Sequence, residues 1–114
     1  MPNRERRGPI PQAPDNLASF AANATKVAKL LRALANERRL MVLCRLAEWG
    51  EGNVGSLAEA AGLSQSATSQ HLAKMRDEGV VEFRREGQTL WYRIADPSTE
   101  LLLGYLHKLY CSED

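Results

Sequence analysis

Cys44 and Cys111 are the two cysteines of this 114-residue sequence, and they stand far apart in it. An ionised thiol is a nucleophile, a redox partner and a metal ligand. Cys44, inside LMVLCRLAE, reads by itself as a small core residue, because free cysteine is among the most buried residue types. Cys111 reads differently: Ser112, Glu113 and Asp114 follow it, a setting in which a purely structural cysteine has little to do. In a reducing compartment the two are not expected to form a permanent staple. Arg45 beside Cys44 and His107 one turn before Cys111 are each placed to favour a thiolate, whereas a helix C-terminus disfavours one at Cys111.

A second set of residues points to different chemistry. Gln65, Ser66, Thr68, Ser69, Gln70 and Lys74 crowd one side of a short amphipathic segment. On a helix these short donors and acceptors are suited to base edges in a major groove, where each base pair shows its own pattern. A merely solvated face would carry more Glu and Lys, since Ser and Thr are mediocre helix formers. Arg84, Arg85, Gln88 and Arg93 lie just downstream and add groups for phosphates or a minor groove, diluted by Glu82 and Glu86.

The elements that must hold these residues follow from periodicity. Leu17, Phe20, Ala24, Val27, Leu30, Leu31 and Leu34 keep helical spacing, with Asp15 or Asn16 as cap. Asn36 opens a second helix, carrying Leu40, Leu43, Cys44 and Ala47, which Gly50 and Gly52 stop. A short helix over about Ser56 to Ala61 ends at Gly62, and Ser64 caps another that runs to about Glu78. The period then changes to two: Val80 to Arg85 and Thr89 to Ala95 flank Glu86, Gly87 and Gln88 as a hairpin. Asp96 and Pro97 start a last helix whose Leu101 to Leu103, Leu106, Leu109 and Tyr110 form an apolar face in need of a partner. The fold expected is mainly α with a β-hairpin wing, a winged helix-turn-helix in the order α-α-α-α-β-β-α. Residues 1–14, rich in Arg and Pro, read as a flexible tail, and 15–114 as a single domain.

Size and charge narrow the function. A chain of this length suits one domain with a thin core that gains from oligomerisation, not a multi-domain enzyme. Apolar runs are far too short to cross a bilayer, and prolines stand where a signal peptide would be apolar, so a cytoplasmic protein is expected. The net charge of +1, from 15 basic and 14 acidic side chains, gives no global attraction to nucleic acid. Its distribution does: Lys26, Lys29, Arg32, Arg38, Arg39 and Arg45 face only Glu37 between Thr25 and Arg45, while acids dominate from Asp96 onward. Near-neutrality is a cancellation between a basic and an acidic half.

The stretch from Val27 to Asp96, above all LSQSATSQHL and GQTLWYRI, resembles the arsenic-repressor (ArsR) family of winged-helix transcriptional repressors. The resemblance implies a homodimer joined by the first and last helices, its two reading helices meeting successive major grooves of an inverted-repeat operator in double-stranded DNA. No enzymatic activity, cofactor or membrane association is expected. Many members bind arsenic, cadmium or lead through Cys-x-Cys on the first helix of the motif; the corresponding Asn53 to Glu59 has no cysteine. Others bind zinc through the last helix, where this chain offers Asp96, Glu100, His107 and Cys111 and only the last two share a face. Two ligands are too few for a closed site without help from the other subunit, so no metal site is assigned. One cysteine in LMVLCRLAE and one near the chain end resembles instead the dithiol subgroup, the biofilm-growth-associated repressor and the sulfide-responsive repressors. That implies that Cys44 and Cys111 approach each other, and that a disulfide or polysulfide bridge formed by reactive sulfur or an oxidant releases the operator. The alternatives are a zinc-type repressor of the same fold, a thiol peroxide reductase using the same cysteines, and a winged helix used only for protein interaction. The sequence has no Cys-x-x-Cys pair, glycine-rich cofactor loop or convergent acid and base to favour the enzyme. His71 is expected to be a hydrogen-bonded packing residue, and Trp49 and Trp91 core or hairpin residues.

Overall fold

The computed structural model describes residues 16–111. The expected tail over 1–14 and the Asp15 cap lie outside them, as do Ser112 to Asp114. The elements are α1 (Asn16–Ala22), α2 (Ala24–Leu34), α3 (Glu37–Trp49), α4 (Val54–Ala61), α5 (Gln65–Asp77), β1 (Val81–Glu86), β2 (Thr89–Ile94) and α6 (Pro97–Tyr110). This is the winged helix-turn-helix order with the expected first helix divided in two. The division falls at Asn23, whose side-chain amide donates to the Ser19 carbonyl at 3.0 Å while its own N–H is shared between Ser19 and Phe20. Asparagine competes in this way for the carbonyls of the preceding turn. The helical ladder resumes at once, Val27 N–H reaching the Asn23 carbonyl at 3.0 Å.

Side-chain acceptors set the other helix starts. Asn36 takes the N–H groups of Arg38 and Arg39, each at 3.0 Å, and opens α3. Ser64 takes that of Ala67 at 3.0 Å for α5, and Asp96 that of Ser98 at 3.2 Å for α6, ahead of Pro97. Asn53 takes Ser56 N–H at 2.8 Å, so α4 begins two residues before the expected Ser56. Gly62 closes α4 at φ +69°, the left-handed conformation the tight turn of the motif requires.

α3 is the centre of the domain, packing against α2, α4, α6 and β2. Its Val42, Leu43 and Leu46 are fully buried, with Leu57 of α4, Leu72 and Met75 of α5, Val81 of β1 and Leu103 of α6 around them. The strands form an antiparallel hairpin from Val81↔Ile94 to Glu86↔Thr89, turning through Gly87 and Gln88 with Gly87 at φ +63°. Val80 and Ala95, expected in the strands, lie just outside them, and Glu86, expected in the turn, ends β1 opposite Thr89. The hairpin is also tied to the chain before α4. Gly52 N–H donates to the Tyr92 carbonyl at 3.0 Å, and Tyr92 N–H returns a bond to Gly52 at 2.8 Å. A glycine suits the close approach, since a Cβ would lie 3.1 Å from Leu57 and 3.2 Å from the Trp49 ring, and those side chains would have to give by a few tenths of an ångström.

Apolar side chains stand out on the faces these elements leave uncovered. Leu17, Phe20 and Leu31 are exposed on α1 and α2, and Leu101, Tyr105, Leu109 and Tyr110 on α6. Leu57→Ala, which empties a fully buried site between α4 and its neighbours, is expected to cost about 2–5 kcal/mol. Urea unfolding at fixed protein concentration checks it.

Candidate nucleic-acid interface and thiol pair

Gln65, Ser66, Ser69, Gln70 and Lys74 of α5 are exposed, as a reading surface requires. Thr68 is not: it is 0% exposed and its hydroxyl donates to the Ser64 carbonyl at 2.9 Å. It falls in register with Leu72 and Met75 on the inner stripe of the helix, so its assignment as a base reader is corrected. Its methyl packs inward and its hydroxyl is satisfied locally, leaving nothing for a base.

Arg84, Arg85 and Gln88 of the wing, with Arg93 on β2, are exposed, yet two of the arginines are engaged. Arg84 grips Glu51 through Nε at 2.9 Å and a second nitrogen at 3.0 Å, and its guanidinium lies 5.9 Å from the Trp91 ring. The hydrogen bond from Arg84 holds the Glu51 carboxyl below the usual carboxylate range. Arg93 pairs with Glu82, its cross-strand neighbour, at 2.6 Å. Arg85 and Gln88 make no such pairing among the described residues. Arg76, absent from the sequence-derived set, stacks its guanidinium 4.5 Å over the Phe83 ring and fixes a positive charge between α5 and β1. A basic residue in the last turn of the reading helix, followed across a glycine turn by an aromatic strand residue, is the signal that marks it.

Cys44 is half-buried on α3 and Cys111 is exposed at the end of α6, its N–H on the His107 carbonyl at 2.8 Å. The two helices are in contact. Burial pushes the Cys44 thiol up, and the neighbouring Cys111 pushes it further in the same direction. Arg45 pulls the other way, but it is held by Glu48 at 2.9 Å, which itself raises the thiol. Cys44 is therefore a protonated thiol at neutral pH, contrary to the thiolate that Arg45 alone suggests. Among the described residues no three His, Cys, Asp or Glu side chains are grouped to hold a metal ion, and no helix is long and apolar enough to cross a membrane. Trp91 sits half-buried in the hairpin, while Trp49 is exposed at the end of α3 rather than in the core.

Two outcomes follow from α5. Ser69→Ala with Gln70→Ala is expected to weaken binding to a duplex selected by the parent protein from random-sequence DNA by about tenfold or more, at about 1–3 kcal/mol per good base contact. Thr68→Val is expected to lower stability by about 1 kcal/mol and leave the base preference of that selection unchanged.

Residues 36–82 match the family described as "Bacterial regulatory protein, arsR family", a span from the α3 cap to the start of the wing. The Transcriptional activator HlyU of Vibrio cholerae is 46% identical over 99 residues, covering 87% of this chain and 91% of that protein. A solved structure of reduced HlyU from the same organism superposes with a TM-score of 0.76 at 44% identity, over 84% of this chain and 100% of that one. The transcriptional repressor BigR from Xylella fastidiosa gives 0.76 at 34% identity, over 84% and 97%. A homodimeric winged helix-turn-helix DNA-binding domain from Mycobacterium bovis gives 0.69 at 35% identity, over 88% and 89%. Identity of this extent, across nearly the whole length of the relatives, accounts at once for the hairpin wing, the glycine-turned helix pair and the exposed polar face of α5. The chain belongs to the arsR family and is a winged helix-turn-helix DNA-binding transcriptional regulator, not an enzyme.

Proposed function

We propose that this chain is a homodimeric repressor of an inverted-repeat operator, released when Cys44 and Cys111 are joined by a disulfide or a polysulfide bridge. The observation that carries the reading is the packing of α6 against α3, the helices that bear Cys111 and Cys44, and the upward push of Cys111 on the Cys44 thiol agrees with it. The description of one relative as reduced, and of another as a repressor, supports the same reading. For the dimer, the support is the exposed apolar set on α1, α2 and α6 and the homodimeric state of the Mycobacterium bovis relative. DNA is contacted by Gln65, Ser66, Ser69, Gln70 and Lys74 in a major groove, and by Arg85 and Gln88 at the wing, with Arg84 and Arg93 available only by exchanging a carboxylate for a phosphate.

The chemistry balances with an oxidant or a sulfane-sulfur donor. Two thiols lose two electrons and two protons and a sulfur bridge forms; a polysulfide taking the electrons leaves as hydrogen sulfide. Exposed Cys111 meets the donor first, and protonated, half-buried Cys44 resolves the intermediate as it loses its proton. A direct disulfide demands α-carbons about 4.4–6.8 Å apart, and added sulfurs relax that demand. Either bridge fastens α6 to α3, and through α3 shifts the paired reading helices out of register with the operator. A coupling of about 1–3 kcal/mol changes affinity roughly 5- to 150-fold.

After exposure to polysulfide, the parent is expected to release the duplex and to show a Cys44–Cys111 linked peptide by mass spectrometry. Cys111→Ser is expected to bind DNA as before and to ignore the same treatment. Release of the duplex by Cys111→Ser overturns the switch.

A further inference from the structure

We propose that Arg39 is a positioning residue for DNA reading: its guanidinium, held against His71 and Glu78, fixes the orientation of α5 relative to α3. The inference rests on α5 being the reading helix and is independent of the thiol switch. Arg39 leaves α3 in its first turn, and its Nε donates to Nδ1 of His71 at 3.4 Å. Another of its nitrogens lies 3.8 Å from Glu78, at the C-terminal cap of α5. Among the described residues these are the side-chain polar links from α3 to α5; the two helices otherwise meet through the shared apolar core, to which α5 contributes Leu72 and Met75, while α5 also lies against α4 and β1. Two attachments seven residues apart along one helix restrain both its position and its rotation about its own axis. That rotation decides where Ser69 and Gln70 point, since they neighbour His71 on the adjoining face.

The arginine is placed for this and not for DNA. Its side chain is 12% exposed, whereas Arg38 beside it is exposed. A phosphate contact needs the guanidinium at the surface; a link inside the domain does not. The link also has a definite protonation requirement. Nδ1 can accept from Arg39 only while the imidazole is neutral. Burial first, then Arg39 and Arg38, hold the His71 imidazole below its usual range, which preserves the acceptor at neutral pH. The charged groups that act on the His71 imidazole are Arg39 and Arg38, both of α3. Acidification below the usual imidazole range, about 6.5, therefore removes the acceptor and sets a positive charge beside two arginines. The link is present above the folded-state value and lost as pH falls through it. An exposed histidine does the opposite, since a new positive charge strengthens binding to DNA.

The experiment measures binding to the parent-selected duplex as a function of salt and pH for the parent, Arg39→Met, His71→Asn and His71→Leu, with the Ser69→Ala, Gln70→Ala double variant as reference. Arg39→Met is expected to bind on the order of tenfold more weakly with an unchanged dependence on salt, because no phosphate contact is lost. His71→Leu, which deletes the acceptor and keeps the arginine, is expected to weaken binding similarly even if Arg39→Met does not fold. His71→Asn, whose amide oxygen hangs from Cγ as Nδ1 does and can accept in its place, is expected to keep neutral-pH affinity and lose the fall in affinity on acidification. A salt slope reduced by about one per subunit in Arg39→Met makes Arg39 a phosphate contact and overturns the proposal. So does parental affinity in both Arg39→Met and His71→Leu while the reference variant is weakened. Parental affinity in the reference variant overturns α5 as the reader, which is a separate failure.

Discussion

Burial of one face of α3 is the constraint on which the remaining structure hangs, because α2, α4, α6 and β2 all close on that helix. Val42, Leu43 and Leu46 lie at the spacing that gathers one stripe of a helix, and all three are sealed from water. Fixing that stripe fixes the rotation of α3, and the rotation decides where its other residues go. Cys44, one position beyond Leu43, comes out half-buried on the side facing the end of α6, and Arg39 in the first turn comes out against α5. A thiol and a guanidinium of quite different consequence are therefore placed by the same apolar contacts.

Most of this architecture was legible in the residues. Asn36, Ser64 and Asp96 announced their helices because a short acceptor ahead of an apolar stripe has one common use. The hairpin was legible from its change of period and its glycine. The early start of α4 was missed because Asn53 lies among glycines, where a cap and a loop residue look alike. The break at Asn23 was missed because apolar spacing continues straight through it. In the site, Thr68 was read with its polar neighbours on residue type, although its position relative to Leu72 and Met75 puts it on the buried stripe. Partners distant in sequence, such as Arg84 with Glu51, leave no local trace at all.

The surface divides by chemistry in a way that suits a two-fold assembly. Exposed polar side chains occupy one side of α5, and apolar side chains gather on α1, α2 and α6. Basic residues are concentrated in α2 and α3 and acidic ones toward the chain end, which explains how a chain of net charge +1 can belong to a DNA-binding family. On the wing, charge is largely spent within the protein, in the Arg84–Glu51 and Arg93–Glu82 pairs. Exposed pairs of this kind are held weakly, so each arginine can exchange its carboxylate for another anion at little cost.

The short bridge between Gly52 and Tyr92 carries a consequence for how this chain can change over evolutionary time. Connections between elements ordinarily tolerate gain and loss of residues. Here both backbone groups of Gly52 are committed to the wing, and Leu57 and the Trp49 ring crowd the position where a side chain would start. One inserted residue between Gly50 and Asn53 would put a different backbone group opposite Tyr92 and unseat the hairpin. Length variation is thus directed elsewhere, to the wing tip at Gly87 and Gln88, where the turn is open on all sides and its length alters reach without disturbing the domain.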